Sequence, residues 1–301
     1  MVHADSESAA AAAASSSGRP TSVRNEEGRT PGVGGLRLCW TWHRVADPRA
    51  TVLIHPGFAD HRGRYPFAIA ALTAAGHDVF AFDPRGHGDS GGQRGHVDRF
   101  EDYDDDLRTM IAVVRERTGT PPVLVGHSQG GLIVCHAARS APLPVRAIAL
   151  SNPALSAAIA VPGWKIMMAK SLSRLLPTVP VPVGIPPETI SRDRDVVDAY
   201  RRDPLVFSAG TTRWGAEFLR AQSDVLSTPT AFGVPTLVMV GTGDQVVDPH
   251  TTLRHFSSAS GLEVERYAGF YHELFNEPPV ERAQPLQRLC AFVDAHAQGG
   301  G

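Results

Sequence analysis

Residues 121–140 read PPVLVGHSQGGLIVCHAARS. After a proline pair, VLV is apolar throughout and β-branched at both valines, so PPVLV (121–125) is the pattern of a buried parallel strand. GLIVCHAARS (131–140) is rich in Ala, Leu and Ile and suits a helix packed on that strand's sheet. Between them stands Gly126-His127-Ser128-Gln129-Gly130, a G-x-S-x-G turn. Such a turn passes sharply from strand to helix and lifts one hydroxyl clear of the sheet. Glycines two positions either side let it close where a Cβ would clash. The stretch therefore predicts an α/β architecture with Ser128 at its reactive edge.

The same alternation continues outward. ATVLIHPG (50–57) and HDVFAFD (77–83) read as strands, with YPFAIAALTAAG (65–76) as the helix between them. PRGHGDSGG (84–92) is a polar, glycine-rich loop. FEDYDDDLRTMIAVVRERTG (100–119) opens acidic, closes basic and stops at glycine, matching a helix dipole. VRAIALSNP (145–153) is another strand. Strand and helix in alternation imply a mostly parallel sheet covered on both faces. Residues 154–225 break the pattern and contain no clear strand, only an amphipathic stretch (161–176) and a proline-laden one (177–187). The sheet resumes with VPTLVMVGTGD (234–244) and GLEVERYAG (261–269), before a last helix (279–297). The expected organisation is a core of 36–153 and 226–298, interrupted by a cap over residues 154–225.

The 301 residues carry a net charge of −2, which gives no electrostatic case for a nucleic-acid partner. Three cysteines, Cys39, Cys135 and Cys290, are odd in number and far apart. Neither a disulfide framework nor a metal-ligand spacing is visible, which fits a cytoplasmic, reducing setting. No apolar run is long enough to span a membrane. Residues 1–35 are rich in Ala, Ser and Gly without aromatic anchors, and Asp5 and Glu7 stand where a signal peptide needs a basic flank. They read as a disordered tail. Nothing in the sequence fixes an oligomeric state.

A serine hydroxyl needs a base to take its proton, and the base needs an acid to orient it. On this architecture they follow in the order Ser, Asp/Glu, His. The turn GTGDQVVDP (241–249) offers Asp244 and Asp248; AGFYHELFNEP (268–278) offers His272. Asp244 follows its strand immediately, whereas Asp248 before Pro249 has the place of a helix N-cap. His250 and His255 fall on the helix after Pro249, and His296 is almost at the chain end, so none is as well aimed as His272. The expected triad is Ser128, Asp244 and His272. An oxyanion would need two backbone N–H donors. Gln129, directly after the serine, and Phe58, in the loop after strand 50–55, are the candidates. His61 and Arg64 of that loop read equally as structural or substrate-binding. None of this chemistry calls for a metal or cofactor.

Several stretches carry a family resemblance: GFADHRGRY (57–65), FDPRGHGDSGG (82–92), GHVDRFEDYDDDL (95–107), GHSQGG (126–131), RDPLVF (202–207), GTGDQVVDP (241–249) and YAGFYHELFNEP (267–278). Over roughly residues 36–296 the chain resembles the monoacylglycerol lipase and lysophospholipase branch of the α/β-hydrolases. It departs in two places. Pro56 stands where the family has a histidine before the oxyanion glycine, with His55 one step earlier, and Gln129 replaces the usual methionine. The resemblance implies hydrolysis of a small lipid ester, one long acyl chain lying under a mobile lipophilic cap. Trp164, Ile166, Met167, Met168, Leu172, Leu175 and Leu176, beside Lys165, Lys170 and Arg174, suit either packing onto the core or transient contact with a membrane surface. Acyl transfer, cleavage of another small ester or lactone, and a receptor without catalysis are the competing readings.

Overall fold

The computed structural model describes residues 23–158, 172–257 and 261–297. Eight strands form one sheet: β1 (Arg24–Pro31), β2 (Arg37–Arg44), β3 (Thr51–His55), β4 (Asp78–Phe82), β5 (Val123–His127), β6 (Ala147–Ser151), β9 (Thr236–Gly241) and β10 (Leu262–Tyr267). Their order is β1-β2-β4-β3-β5-β6-β9-β10. β1 pairs antiparallel with β2, and β2 antiparallel with β4; every later pairing is parallel. This is the mostly parallel α/β-hydrolase sheet that the strand–helix alternation predicts.

β3, β4, β5 and β6 are buried along their whole length. That continuity follows from having a helix layer on each face, since alternate side chains point to opposite sides. Leu53, Phe80, Leu124, Ile148 and Val238 face a core with helices α2 (Glu101–Thr118) and α3 (Gln129–Ser140). Val52, Val79, Val125, Ala149 and Met239 face the opposite core, with α1 (Pro66–Ala74) and α7 (Pro279–Ala295). α2 carries Glu101, Asp102 and Asp104 in its first turn and Arg115 and Arg117 in its last, and ends at Gly119 with φ 73°.

The disordered tail expected through residue 35 is corrected by β1. Arg24–Pro31 lies along all of β2. It has no apolar anchor, so composition concealed it; backbone pairing and polar ties hold it instead. Trp40 Nε1 donates to Thr30 Oγ1 at 3.0 Å, and Arg117 donates to Glu26 at 2.6 Å. Gly28 lets the strand lie on the Trp40 ring, where an added Cβ would come within 1.9 Å. Residues 1–22 of that expectation fall outside the described residues.

Between β6 and β9 lies the insertion. It contains a short hairpin-like pair, β7 (Pro180–Pro182) with β8 (Ala209–Thr211), which the sequence pattern did not suggest, because two of the three β7 residues are proline. Helices α4 (Arg194–Arg202) and α5 (Thr212–Leu226) complete its described part. α5 is no loose roof. Its Trp214, Ala221 and Val225 are buried in the same core as α2 and α3. Most of the amphipathic stretch, including Met167 and Met168, lies outside the described residues; Leu172 to Leu175 is helical, and Leu175 and Leu176 are exposed.

Candidate active site

Ser128 ends β5 and begins α3 with φ 52°, a left-handed conformation that a serine adopts only under compulsion. The compulsion is packing. A Cβ on Gly130 would sit 2.4 Å from the His55 carbonyl oxygen, and one on Gly126 3.0 Å from the Gly130 carbonyl. Close backbone approach therefore dictates Gly130 and favours glycine at 126.

His272, in the loop after β10, meets the serine across 144 residues of chain. Its Nδ1 lies 2.7 Å from Asp244 Oδ2 and its Nε2 2.9 Å from Ser128 Oγ. Facing a carboxylate, Nδ1 carries the proton, which leaves Nε2 to accept from the serine hydroxyl. Asp244 Oδ1 in turn accepts the N–H groups of Val246 and Val247 at 2.8 and 3.0 Å. Burial opposes the His272 imidazolium, but the charge and hydrogen bond of Asp244 outweigh it and raise its pKa above the ordinary value. Such a relay can draw a proton from the serine and hold it.

The neighbouring imidazoles shift the other way. Burial depresses His55 and His87 to about 4. Burial, then the proximity of His272, takes His127 to about 3; the two rings are 4.8 Å apart. Of these four imidazoles His272 alone is shifted towards the protonated form. His55, beside the departing Pro56, donates from Nδ1 to the Pro56 carbonyl at 2.9 Å.

The remaining sequence candidates divide clearly. Asp248 accepts the N–H groups of His250 and Thr251 and caps α6 (Pro249–Ser257). His250 is exposed and His255 half-buried on that helix, and His296 packs edge-on against Phe292. Arg64 pairs with Glu273 at 2.6 Å and Asp60 at 2.9 Å, and lies over the Tyr200 ring of α4. His61 donates to Asp203 at 2.9 Å. Both tie the loop after β3 to the insertion. The Phe58 and Gln129 N–H groups donate to no other residue among those described. Trp214 reaches both residues: its ring stacks on Phe58 at 4.0 Å, and its Nε1 donates to Gln129 Oε1 at 2.9 Å.

Asn152 is a residue the sequence reading missed. With φ 42°, it donates from Nδ2 to the carbonyls of Tyr271 and His272 at 3.1 and 2.7 Å, and accepts the Gly241 N–H at 2.8 Å. It joins the ends of β6 and β9 to the histidine loop. Its signal in the sequence is an Asn-Pro step closing a buried strand. Glu277 was missed as well: its carboxylate receives the Tyr271 N–H and, at 3.0 Å, Arg192 Nε from the insertion. Among the described residues no cluster of His, Cys, Asp or Glu could hold a metal, and no helix is long and apolar enough to cross a membrane.

A serine on a strained strand–helix turn at the carboxyl edge of this sheet, facing a carboxylate-bound histidine, defines an α/β-hydrolase. Residues 46–279 match the family described as serine aminopeptidase, S33, and the chain belongs to that family. A monoacylglycerol lipase of Mycolicibacterium smegmatis is 33% identical over 273 residues, covering 88% of this chain and 95% of the relative. The phospholipase YtpA of Bacillus subtilis is 31% identical over 262 residues, 85% and 99% of the two chains. The crystal structure of a Paleococcus ferrophilus monoacylglycerol lipase superposes with a TM-score of 0.75 at 28% identity, covering 91% of this chain and 99% of the other.

Proposed function

We propose that this carboxylic ester hydrolase cleaves an ester of a single long acyl chain, monoacylglycerol or a lysophospholipid, by a Ser128–His272–Asp244 triad. The observation that carries the reading is the unbroken contact from Asp244 Oδ2 through both His272 nitrogens to Ser128 Oγ, at 2.7 and 2.9 Å. The names of the relatives supply the substrate class. In the first half-reaction Ser128 Oγ bonds to the ester carbonyl carbon while its proton passes to His272 Nε2. The carbonyl oxygen becomes an oxyanion held by the Phe58 and Gln129 N–H groups. As the C–O bond to the leaving alcohol breaks, Nε2 returns the proton to that oxygen. Water then repeats the sequence on the acyl-serine, giving the free fatty acid and regenerating the hydroxyl. Asp244 stays ionised throughout and stabilises the transient imidazolium.

The exposed Leu175, Leu176, Val179, Val181 and Val183 on the insertion support a transient seat on a lipid surface, from which an acyl chain enters. A fluorophosphonate probe tests the chemistry: it labels the wild-type chain at Ser128 and fails on Ser128→Ala. Hydrolysis rates across monoacylglycerols of increasing acyl length, beside lysophospholipids, di- and triacylglycerols, test the substrate. A near wild-type rate in Ser128→Ala refutes the nucleophile, and a preference for di- or triacylglycerols refutes the single-chain reading.

A further inference from the structure

Among the described side chains of the insertion, Trp214 touches both residues proposed to form the oxyanion hole. Trp214, in the first turn of α5, is buried, and its seat is built for it. Its own N–H is capped by Thr211 Oγ1 at 3.2 Å, and the backbone of Gly210 lies against the ring, where a Cβ would come within 2.2 Å. Thr211 in turn donates its N–H to the Gly95 carbonyl at 2.8 Å and meets His96 Nδ1 at 2.8 Å, so the main domain fixes the seat.

From that seat the indole makes two contacts of different kinds. It stacks on Phe58 with ring centroids 4.0 Å apart and planes inclined by 28°. Its Nε1 donates to Gln129 Oε1 at 2.9 Å. Gln129 is 1% exposed, so an amide released from this bond would have no water to turn to. Phe58 is gripped further, edge-on, by Phe207 at 5.3 Å and His87 at 5.9 Å.

We propose that Trp214 is a positioning residue, which fixes both backbone donors of the oxyanion hole by holding the side chains of Phe58 and Gln129 at once. The proposal rests on the assignment of those two N–H groups under the function proposed above. Its physical content is that oxyanion stabilisation depends on placement to a fraction of an ångström, and that one indole carried by the inserted segment governs two donors from separate loops. The hole is therefore complete only while α5 is docked.

Variants that separate the two contacts test this. Trp214→Phe keeps a ring for Phe58 but loses the N–H; Gln129→Met keeps the backbone donor but loses the acceptor; Trp214→Ala loses both contacts. Turnover of a short-chain nitrophenyl ester is measured per active site, titrated with fluorophosphonate, together with inhibition by phenylboronic acid, whose tetrahedral serine adduct places an oxygen in the hole. We expect kcat per site to fall about 10-fold in Trp214→Phe and in Gln129→Met, and about 100-fold in Trp214→Ala. The Trp214→Phe/Gln129→Met double variant should be no worse than the weaker single, because both remove the same bond. Boronate affinity should weaken in parallel, with KM changing by less than about threefold. If kcat per titrated site and boronate affinity stay at wild-type values while only Tm falls, Trp214 is ordinary packing and the proposal is overturned. Multiplicative losses in the double variant overturn the shared-bond account. Should the wild-type chain neither label at Ser128 nor hydrolyse the ester, the assignment of the hole fails, and the role of Trp214 falls with it.

Discussion

Acidification should unfold this protein early, because three imidazoles near the serine are folded in their neutral form. His55 and His87 are held at about 4 and His127 at about 3, and all three are fully enclosed. In the unfolded chain each returns to about 6.5. A depressed histidine pKa means that the unfolded state binds the extra proton first, so stability falls as pH drops from 6.5 towards 4. With the unfolded histidines titrating at about 6.5, lowering the pH from about 7.5 to about 5.0 removes about 2 kcal/mol per histidine, roughly 6 kcal/mol together. Domains commonly have about 5–15 kcal/mol in total. His272 acts with the opposite sign: its pKa is raised, so its contribution is complete below 6.5 and is lost only as pH rises through the folded value. One such group does not offset three. Urea unfolding followed by circular dichroism at pH 7.5 and pH 5.0 measures the difference directly. His87→Gln, which cannot take up a proton, should reduce the loss by about a third. Equal stabilities at the two pH values, within about 1 kcal/mol, would refute the reasoning.

Asp244→Asn should lower kcat by about 10⁴-fold, since the imidazole loses its orienting charge and tautomer, whereas Asp248→Asn should keep most activity because asparagine also caps helices; steady-state kinetics decide between them, and the reverse ranking would move the acid to 248. The acid limb of kcat/KM should report a pKa above 6.5, activity falling as pH falls through it, because His272 must be neutral to accept the serine proton. Removing residues 1–31 should lower Tm by about 3–5 °C in a thermal melt, as uncovering the Trp40 face costs about 2–3 kcal/mol; an unchanged Tm would mean that β1 adds nothing to stability. Replacing Leu175 and Leu176 together by serine should cut kcat/KM for long-chain monoacylglycerol by about 10-fold or more while a short nitrophenyl ester is hydrolysed as before; equal losses would make these side chains structural.

The parts of the site that could be read from the sequence are those whose signal is local. Gly126, Ser128 and Gly130 advertise a turn by spacing alone; Asp244 follows an apolar strand and His272 the alternating strand LEVERY, each where this sheet opens to its ligand edge. β1 was hidden because RNEEGRTP alternates between polar residues of different burial, with no hydrophobic member to mark the inner face. Trp214 was hidden for another reason. It meets Gln129 across 85 residues, and nothing in the pattern of either segment encodes that meeting. The same holds for Arg64 and Glu273, which are 209 residues apart.

Asn152 shows how narrow the chemical choice can become at a single position. Its backbone sits at φ 42°, which asparagine, aspartate and glycine tolerate best. Aspartate would still accept the Gly241 N–H but would turn a carboxylate oxygen towards the Tyr271 and His272 carbonyls, replacing two donations by repulsion. Glycine would satisfy the backbone and abandon all three bonds. Histidine's ring cannot present the same acceptor and paired donors from one short amide. Only asparagine meets both demands, so any viable replacement here would have to come with a second change that frees the strand end from the histidine loop.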